Sequence, residues 1–324
     1  MLFMRLYESK KLRPNARQKG YLYILISAVL WGTLPIFSTL SYRYGSDALT
    51  SAAMRSYLSC AIFLIWMLAN GSLKKLKLRE IPFYLIYGVV AGGCTFACYM
   101  TAIEHLSIAM AAILLYTSPA FVILINRVVY KEPITRVKLL AVLCTFGGCL
   151  LVLQAYHVEI LTHNLPWVGV GLAAGVCFSM TTVVGKKAKE YHDGRFNAGM
   201  MCIFGSLVFL AVKPPWSVAA ISFRLWLCFG GLAVFGTVLA YMVYLKGLDI
   251  VADGGSASII ATLEPIVGSV FGVIFFGDKL EVPQIFGILL VVIGVSLPIL
   301  CDFEFRQKTN LRSYGKEHCH VTKT

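Results

Sequence analysis

Residues 107–130 read SIAMAAILLYTSPAFVILINRVVY, and residues 254–277 read GGSASIIATLEPIVGSVFGVIFFG. Each stretch is long and apolar enough to cross the hydrocarbon core of a bilayer as a helix, which takes about 20 residues. Each also carries a proline near its middle, and these prolines, Pro119 and Pro265, are 146 residues apart. The pair predicts a membrane protein in which one helical unit occurs twice.

Eight further apolar runs extend this pattern over most of the chain. The sequence of 324 residues is 58% hydrophobic and only 14% charged, whereas a soluble domain carries about a quarter charged residues. The loops between the runs are too short for a soluble domain, and the segments before 20 and after 301 are polar and predicted to be mobile. The ten predicted spans are 21–41, 47–69, 81–103, 107–130, 136–154, 166–185, 196–213, 224–246, 254–277 and 283–300.

The Lys and Arg residues indicate the orientation of these spans. With the N-terminus in the cytoplasm, the inner segments hold 24 of the 29 Lys and Arg residues and the outer loops hold 4, while Arg55 lies inside a span. Cytoplasmic loops of membrane proteins carry an excess of Lys and Arg. The split predicts that both termini are cytoplasmic and that the number of spans is even.

The spacing of 146 residues divides the chain into two halves of five spans each. Glu132 matches Asp278 at this spacing, and both are interpreted as residues at helix boundaries. Because five is odd, the second half must enter the membrane from the opposite side, as in many secondary transporters. The predicted fold is an all-α membrane protein with ten transmembrane helices as two inverted five-helix repeats. Its segments are a cytoplasmic N-terminal segment (1–20), a first repeat (21–154), a second repeat (166–300) and a cytoplasmic tail (301–324).

The two prolines mark the candidate binding site. Proline cannot donate a backbone hydrogen bond, so the carbonyls of Leu115 and Ala261 lose their helical partners. Inside a membrane such groups must be satisfied by neighbouring helices, water or a ligand. Paired helix breaks at the midplane point to a transporter's substrate site, although a packing kink would leave the same pattern.

Two charged residues lie deep in the predicted spans. Glu264 directly precedes Pro265, and Arg55 is the basic residue inside span 47–69. Intramembrane charges are costly and mark functional pathways by default. Glu264 has three open roles, as a proton carrier, a ligand for a substrate amine or a structural anchor. Arg55 is a candidate partner of Glu264 or of a substrate carboxylate.

Aromatic residues at helical spacing supply further candidates for a cavity lining. The candidates are Trp31, Tyr99, Tyr116 and Tyr241, of which Trp31 and Tyr241 lie away from the predicted span ends and are preferred. Tyr and Trp also mark membrane interfaces, and Ser and Thr also bind helices together, so a packing role is the alternative for each. No Walker-type loop, metal-ligand cluster or basic nucleic-acid surface is evident, so no enzyme activity, cofactor, metal or nucleic-acid partner is predicted.

These features resemble the drug/metabolite transporter superfamily, in its EamA-like branch. The resemblance rests on Ala-Val-Leu-Trp-Gly at 28–32, on Arg55, on the run from Tyr99 to Glu132, and on Leu-Glu-Pro at 263–265. It implies a central cavity lined mainly by helices 1, 3, 4, 6, 8 and 9, and a bacterial inner membrane. The candidate residues on those helices are Trp31, Tyr99, Tyr116, Pro119, Tyr241, Glu264 and Pro265.

The resulting functional hypothesis is a secondary transporter that moves an amino acid or related metabolite, by efflux, through alternating access. The alternatives are an uptake permease or an uncoupled facilitator for a nucleotide-derived metabolite or a quaternary amine. A membrane-embedded enzyme or sensor would need catalytic groups that the sequence does not display. The expected partners are the substrate, the lipid bilayer and, as an open possibility, a proton. The chain is expected to act as a monomer or weak homodimer.

Overall fold

A computed structural model of the chain describes residues 14–155, 165–218 and 222–321, and every regular element in these ranges is helical. The α-helices in chain order are α1 (Pro14–Trp31), α2 (Leu34–Arg43), α3 (Ala48–Ala69), α4 (Ile81–Tyr87), α5 (Thr95–His105), α6 (Ile108–Leu115), α7 (Ser118–Val129), α8 (Arg136–Val152), α9 (Leu165–Ala188), α10 (Gly194–Val212), α11 (Phe223–Ala233), α12 (Ala240–Val251), α13 (Gly254–Ala261), α14 (Glu264–Phe276) and α15 (Val282–Val321). Short π-helical segments, Gly88–Cys94 and Val234–Leu239, join α4 to α5 and α11 to α12.

Nine candidate membrane spans lie within the described residues. They are Ala16–Arg43, Ala48–Ala69, Leu78–His105, Ile108–Val129, Leu165–Ala188, Gly194–Val212, Phe223–Val251, Gly254–Phe276 and Val282–Asp302. The run predicted at 136–154 forms α8, which has 17 residues and is shorter than all nine. The all-helical membrane fold is thus confirmed, while the count of ten stays a prediction.

The last helix extends beyond the predicted span 283–300. Helix α15 continues from Val282 to Val321, and the mobility of the tail after 301 stays a prediction. Pro298 inside this helix does not end it. Of the predicted N-terminal segment, residues 1–13 lie outside the described part of the chain.

Helix boundaries recur at a spacing of 146 residues. Asp47 and Asp193 begin α3 and α10, and each carboxylate accepts a hydrogen bond from the backbone N–H three residues later, at 2.7 and 2.9 Å. Ser107 and Asp253 cap α6 and α13 in the same way. The two π-helical segments also begin 146 residues apart, at Gly88 and Val234. N-cap side chains satisfy backbone donors that a helix start leaves unpaired, so corresponding residues start corresponding helices.

Helices of one half pack on helices of the other. The first helix, α1, packs against α12, and α9 packs against α5. The π-helical segment at Gly88 packs against α10, where a Cβ on Gly88 would lie 2.5 Å from the Phe204 Cβ and 2.8 Å from the Met201 carbonyl oxygen. Small residues let helix backbones approach closely inside a membrane. This packing holds the two halves around a central cavity.

Candidate functional site

Three helix breaks of the same construction surround the centre of the bundle. The α6–α7 break falls at Tyr116–Thr117, the α13–α14 break at Thr262–Leu263 and the α1–α2 break at Gly32–Thr33. At each break a threonine hydroxyl donates to the carbonyl three residues earlier, at 2.5–2.7 Å. The next helix then begins with proline in its first turn, where no backbone donor is needed.

A cavity of about 360 Å³ lies among these breaks. Polar and aromatic side chains line it together with aliphatic ones, which is the usual make-up of a small-molecule site. Its lining residues are Trp31, Leu34, Pro35, Ser38, Thr39, Tyr42, Arg55, Thr95, Phe96, Tyr99, Met100, Ile103, Ile108, Ala112, Leu115, Tyr116, Leu153, Phe178, Tyr241, Glu264, Pro265, Gly268 and Ser269.

The structure brings most of the sequence-predicted site residues to this one cavity. The predicted residues in its lining are Trp31, Arg55, Tyr99, Tyr116, Tyr241, Glu264 and Pro265. Pro119 is buried in the first turn of α7 and is not among the lining residues. At the α6–α7 break, Tyr116 lines the cavity and Pro119 does not.

Arg55 is buried in the cavity wall, with 7% of the residue exposed. Its guanidinium lies over the Phe96 ring, 3.8 Å from the ring centroid. Within the described ranges, Arg55 forms neither an ion pair nor a hydrogen bond through its side chain, and so it does not pair with Glu264. A buried charge without a partner costs several kcal/mol, and Arg55 lines the cavity without such a partner among the described residues.

Glu264 is the first residue of α14 and lies at the floor of the cavity. It also borders a second, smaller void of about 10 Å³. Tyr116 borders the same two spaces as Glu264. No cationic side chain of the described residues forms an ion pair with Glu264.

An aromatic cluster forms the wall on the α1 and α12 side. The Trp31 ring meets Tyr241 at 5.3 Å and 73°, Tyr244 at 5.2 Å and 51°, and Phe178 at 6.1 Å and 69° between ring centroids and planes. Aromatic pairs favour such edge-on arrangements. The cluster is a rigid apolar surface that suits the non-polar part of a ligand.

Residues with hydroxyl side chains border the smaller void next to Glu264, together with apolar residues. Ser118, Ser179, Ser258 and Thr262 border it, and Tyr244 shares a hydrogen bond of 2.6 Å with Thr182 there. Its volume is close to that of one water molecule. Glu264, Tyr116 and Phe178 border both the large cavity and this narrow void.

The two ends of the bundle differ in how they are held. At one end, called the Glu132 end, Lys186 pairs with Glu132 and Lys138 pairs with Asp253 at 2.9 Å, joining α7 to α9 and α8 to α13. His192 also contacts Glu80 at 2.8 Å. Glu132, predicted as a boundary residue, thus forms an ion pair between helices and accepts a hydrogen bond from Asn126.

At the other end, called the Arg43 end, the described residues show no ion pair between helices. Arg43 lies over the Phe276 ring at 4.9 Å, and Arg224 lies over Tyr44 at 5.6 Å. The cavity extends from Glu264 toward this end, because its lining follows α2 as far as Tyr42 and includes the exposed Ile108 at the start of α6.

Sequence reasoning missed two features of the site. The α1–α2 break has Pro35 two residues after Thr33, the spacing that Pro119 has from Thr117, and this signal could have found it. Phe96 precedes Tyr99 by three residues and so shares its helix face. Its contact with Arg55, however, joins two helices and has no counterpart in sequence spacing.

Comparison with known proteins gives one family and several relatives. The model of the EamA-like transporter family matches residues 18–154 and again residues 165–300. An uncharacterized transporter of Clostridium kluyveri is 24% identical, over 86% of this chain and 92% of its own. The pseudopaline exporter CntI of Pseudomonas aeruginosa is 26% identical, over 71% of this chain and 79% of its own. A solved crystal structure with 16% identity shares the fold with a TM-score of 0.75, over 89% of this chain and 99% of that one.

Proposed function

Since the chain belongs to the EamA-like transporter family, we propose that it is a secondary carrier that moves a small metabolite across the cytoplasmic membrane by alternating access. It is a multi-pass membrane transporter. The substrate is an amino acid or a related compound, and the direction is export. The two matches to the family model and the recurrence of helix boundaries at 146 residues support ten spans in two inverted repeats.

One observation carries the proposal: the cavity extends to the Arg43 end, while ion pairs between helices hold the Glu132 end together. The cavity stops at Glu264, near the middle of span Gly254–Phe276. A carrier needs a central site that is open to one side at a time. A cavity that is open at the Arg43 end and closed at the Glu132 end is what one of the two end states of such a carrier requires.

The distribution of basic residues supports an assignment of sides. Lys138, Lys186 and His192 lie at the Glu132 end, which belongs to the side predicted to hold 24 of the 29 Lys and Arg residues. By the positive-inside rule this end is cytoplasmic. The conformation is then outward-facing, with the cavity accessible from outside the cell and both termini in the cytoplasm.

Glu264 is the residue we propose for coupling. It borders both the open cavity and the narrow void behind it. A carboxyl group at this depth binds a proton or a cationic group more readily than it remains ionised and unpaired. Proton uptake from one side and release to the other would link metabolite movement to the proton gradient.

The proposed direction of transport comes from a relative. The name of the Pseudomonas aeruginosa relative describes that protein as an exporter, and export is therefore proposed for this chain. Uptake, or uncoupled passage of a nucleotide-derived metabolite or quaternary amine, would use the same cavity. Counterflow in proteoliposomes separates a carrier from a passive channel, because only a carrier exchanges internal for external substrate.

The proposal is tested by a metabolite screen of uptake and efflux in cells with and without the gene. A third strain carries Ala112→Trp, which fills the cavity from α6, and a fourth carries Val128→Trp on the exposed face of α7. We expect at least one small metabolite to change with the gene, to lose that change with Ala112→Trp and to keep it with Val128→Trp. The absence of any gene-dependent flux would overturn the proposal.

A further inference from the structure

We propose that Arg55, positioned by Phe96, is the carboxylate-binding residue of the cavity, and that the transported metabolite is a zwitterion whose carboxylate lies on Arg55 and whose amine lies toward Glu264. This inference rests on the proposed function, because it describes the ligand of the same cavity. It adds the charge pattern of the substrate and its orientation.

The first argument is the isolation of the guanidinium. Arg55 is 7% exposed, lines the cavity, and has neither an ion pair nor a side-chain hydrogen bond within the described ranges. Arginine presents several N–H donors in a planar fork that matches a carboxylate. With no protein group using that fork, a ligand entering the cavity meets an unoccupied anion site.

The second argument is that the fork is held in place. The guanidinium carbon lies over the Phe96 ring, 3.8 Å from its centroid, and no described protein group accepts a hydrogen bond from the guanidinium. Arginine stacks on aromatic faces in this way, whereas lysine has no plane to stack. Phe96 is therefore a positioning residue for Arg55.

The third argument is the opposite charge at the cavity floor. Glu264 and Arg55 both line the cavity without forming an ion pair with each other. A zwitterion supplies one partner to each of them and leaves the filled site neutral. A phosphate dianion would place excess negative charge near Glu264, and a simple cation would leave Arg55 unpaired. The cluster of Trp31, Tyr241 and Phe178 receives the apolar remainder of the ligand.

The test uses matched probes on the purified full-length protein in detergent. The probes are a mixture of the proteinogenic L-amino acids, the mixture of their amides, which lack the free α-carboxylate, and the corresponding decarboxylated amines. Binding is read as a rise in the thermal midpoint, since a ligand that binds only the folded state stabilises it. We expect the amino-acid mixture to stabilise the wild type, and the amides and amines to stabilise it much less.

Variants assign the effect to Arg55. We expect Arg55→Gln to raise the half-saturating concentration of the amino-acid mixture by about 10- to 100-fold, or about 1.4–2.8 kcal/mol. Phe96→Leu should raise it by about 2- to 5-fold through the lost cation–π contact, and Arg55→Lys should fall between them. The control is Arg43→Gln at the Arg43 end, outside the cavity lining, which should bind like the wild type.

Several outcomes would overturn the inference. They are the absence of stabilisation by amino acids, equal stabilisation by the amides, and unchanged binding in Arg55→Gln. A gene-dependent substrate without an anionic group, still transported by Arg55→Gln, would refute this inference and leave the proposed function standing. Only the absence of all gene-dependent flux would refute both.

Discussion

Replacing Asp253 by Asn should weaken the closure of the Glu132 end. Asp253 lies between two spans, accepts a bond of 2.9 Å from the Lys138 ammonium, and caps α13 through Ser256. Asparagine is as good an N-cap as aspartate, so the substitution removes the charge and keeps the cap. The side chains of the pair are 12% and 23% exposed, which places it between exposed pairs, worth up to about 1 kcal/mol, and buried pairs, whose disruption costs about 3–5 kcal/mol.

A loss of about 1–2 kcal/mol changes a two-state equilibrium by about 5- to 30-fold. The population with an open Glu132 end should increase by that factor. The assay is the labelling rate of Ser179→Cys by a membrane-impermeant maleimide in inside-out vesicles, in a background without other cysteines. Ser179 is 1% exposed and borders the small void, so a reagent from the cytoplasmic side reaches it only after this end opens.

The control is Glu190→Gln, which removes the Lys187–Glu190 pair, an exposed pair of residues three apart in sequence. It should leave the labelling rate unchanged.

Burial raises the pKa of Asp253, but Lys138 and the hydrogen bonds from Ser256 outweigh it and lower the pKa below its ordinary value. The closure that depends on this carboxylate is therefore complete above about pH 4 and is lost only as the pH falls through the lowered pKa. A labelling rate within twofold of the wild type in Asp253→Asn between pH 5 and 8 would refute the reasoning.

Two further predictions concern coupling and packing. Glu264→Gln should abolish the dependence of transport on a proton gradient while counterflow of substrate continues. Unchanged gradient-driven transport by this variant in proteoliposomes would show that Glu264 does not couple transport to protons. Gly88→Ala should lower the free energy of unfolding by about 1–3 kcal/mol, because its Cβ would lie 2.5 Å from the Phe204 Cβ. Gly147→Ala, which meets nothing within 4 Å, is the matched control in thermal unfolding, and equal midpoints for the two variants would contradict the predicted close packing.

The sequence predicts those features of the fold that depend on a single helix. Apolar length predicts the spans, and proline predicts the breaks before Pro119 and Pro265, because both effects act through the local backbone. Length alone does not decide whether α8, which has 17 residues, crosses the membrane. It packs closely against α15, and this contact between helices cannot be seen in either run alone.

The site was less predictable, because its geometry depends on contacts between distant residues. Their depth in the predicted spans identifies Arg55 and Glu264 as candidate site residues. Depth does not show that the two residues line one cavity without forming an ion pair. The Lys186–Glu132 pair joins residues 54 positions apart, and a boundary position alone does not reveal such a partner. Its symmetry with Pro265 predicts Pro119 as a site residue, yet Pro119 is buried in the first turn of α7 and does not line the cavity.

The central claim is that the cavity is the transport path and faces outward in this conformation. Its most direct test is side-resolved labelling of Ser38→Cys, a residue of the cavity lining on α2, in a background without other cysteines. An impermeant maleimide should label it from the outside in right-side-out vesicles and leave it unlabelled from the cytoplasmic side in inside-out vesicles. Labelling from the cytoplasmic side alone, or from neither side, would contradict the account.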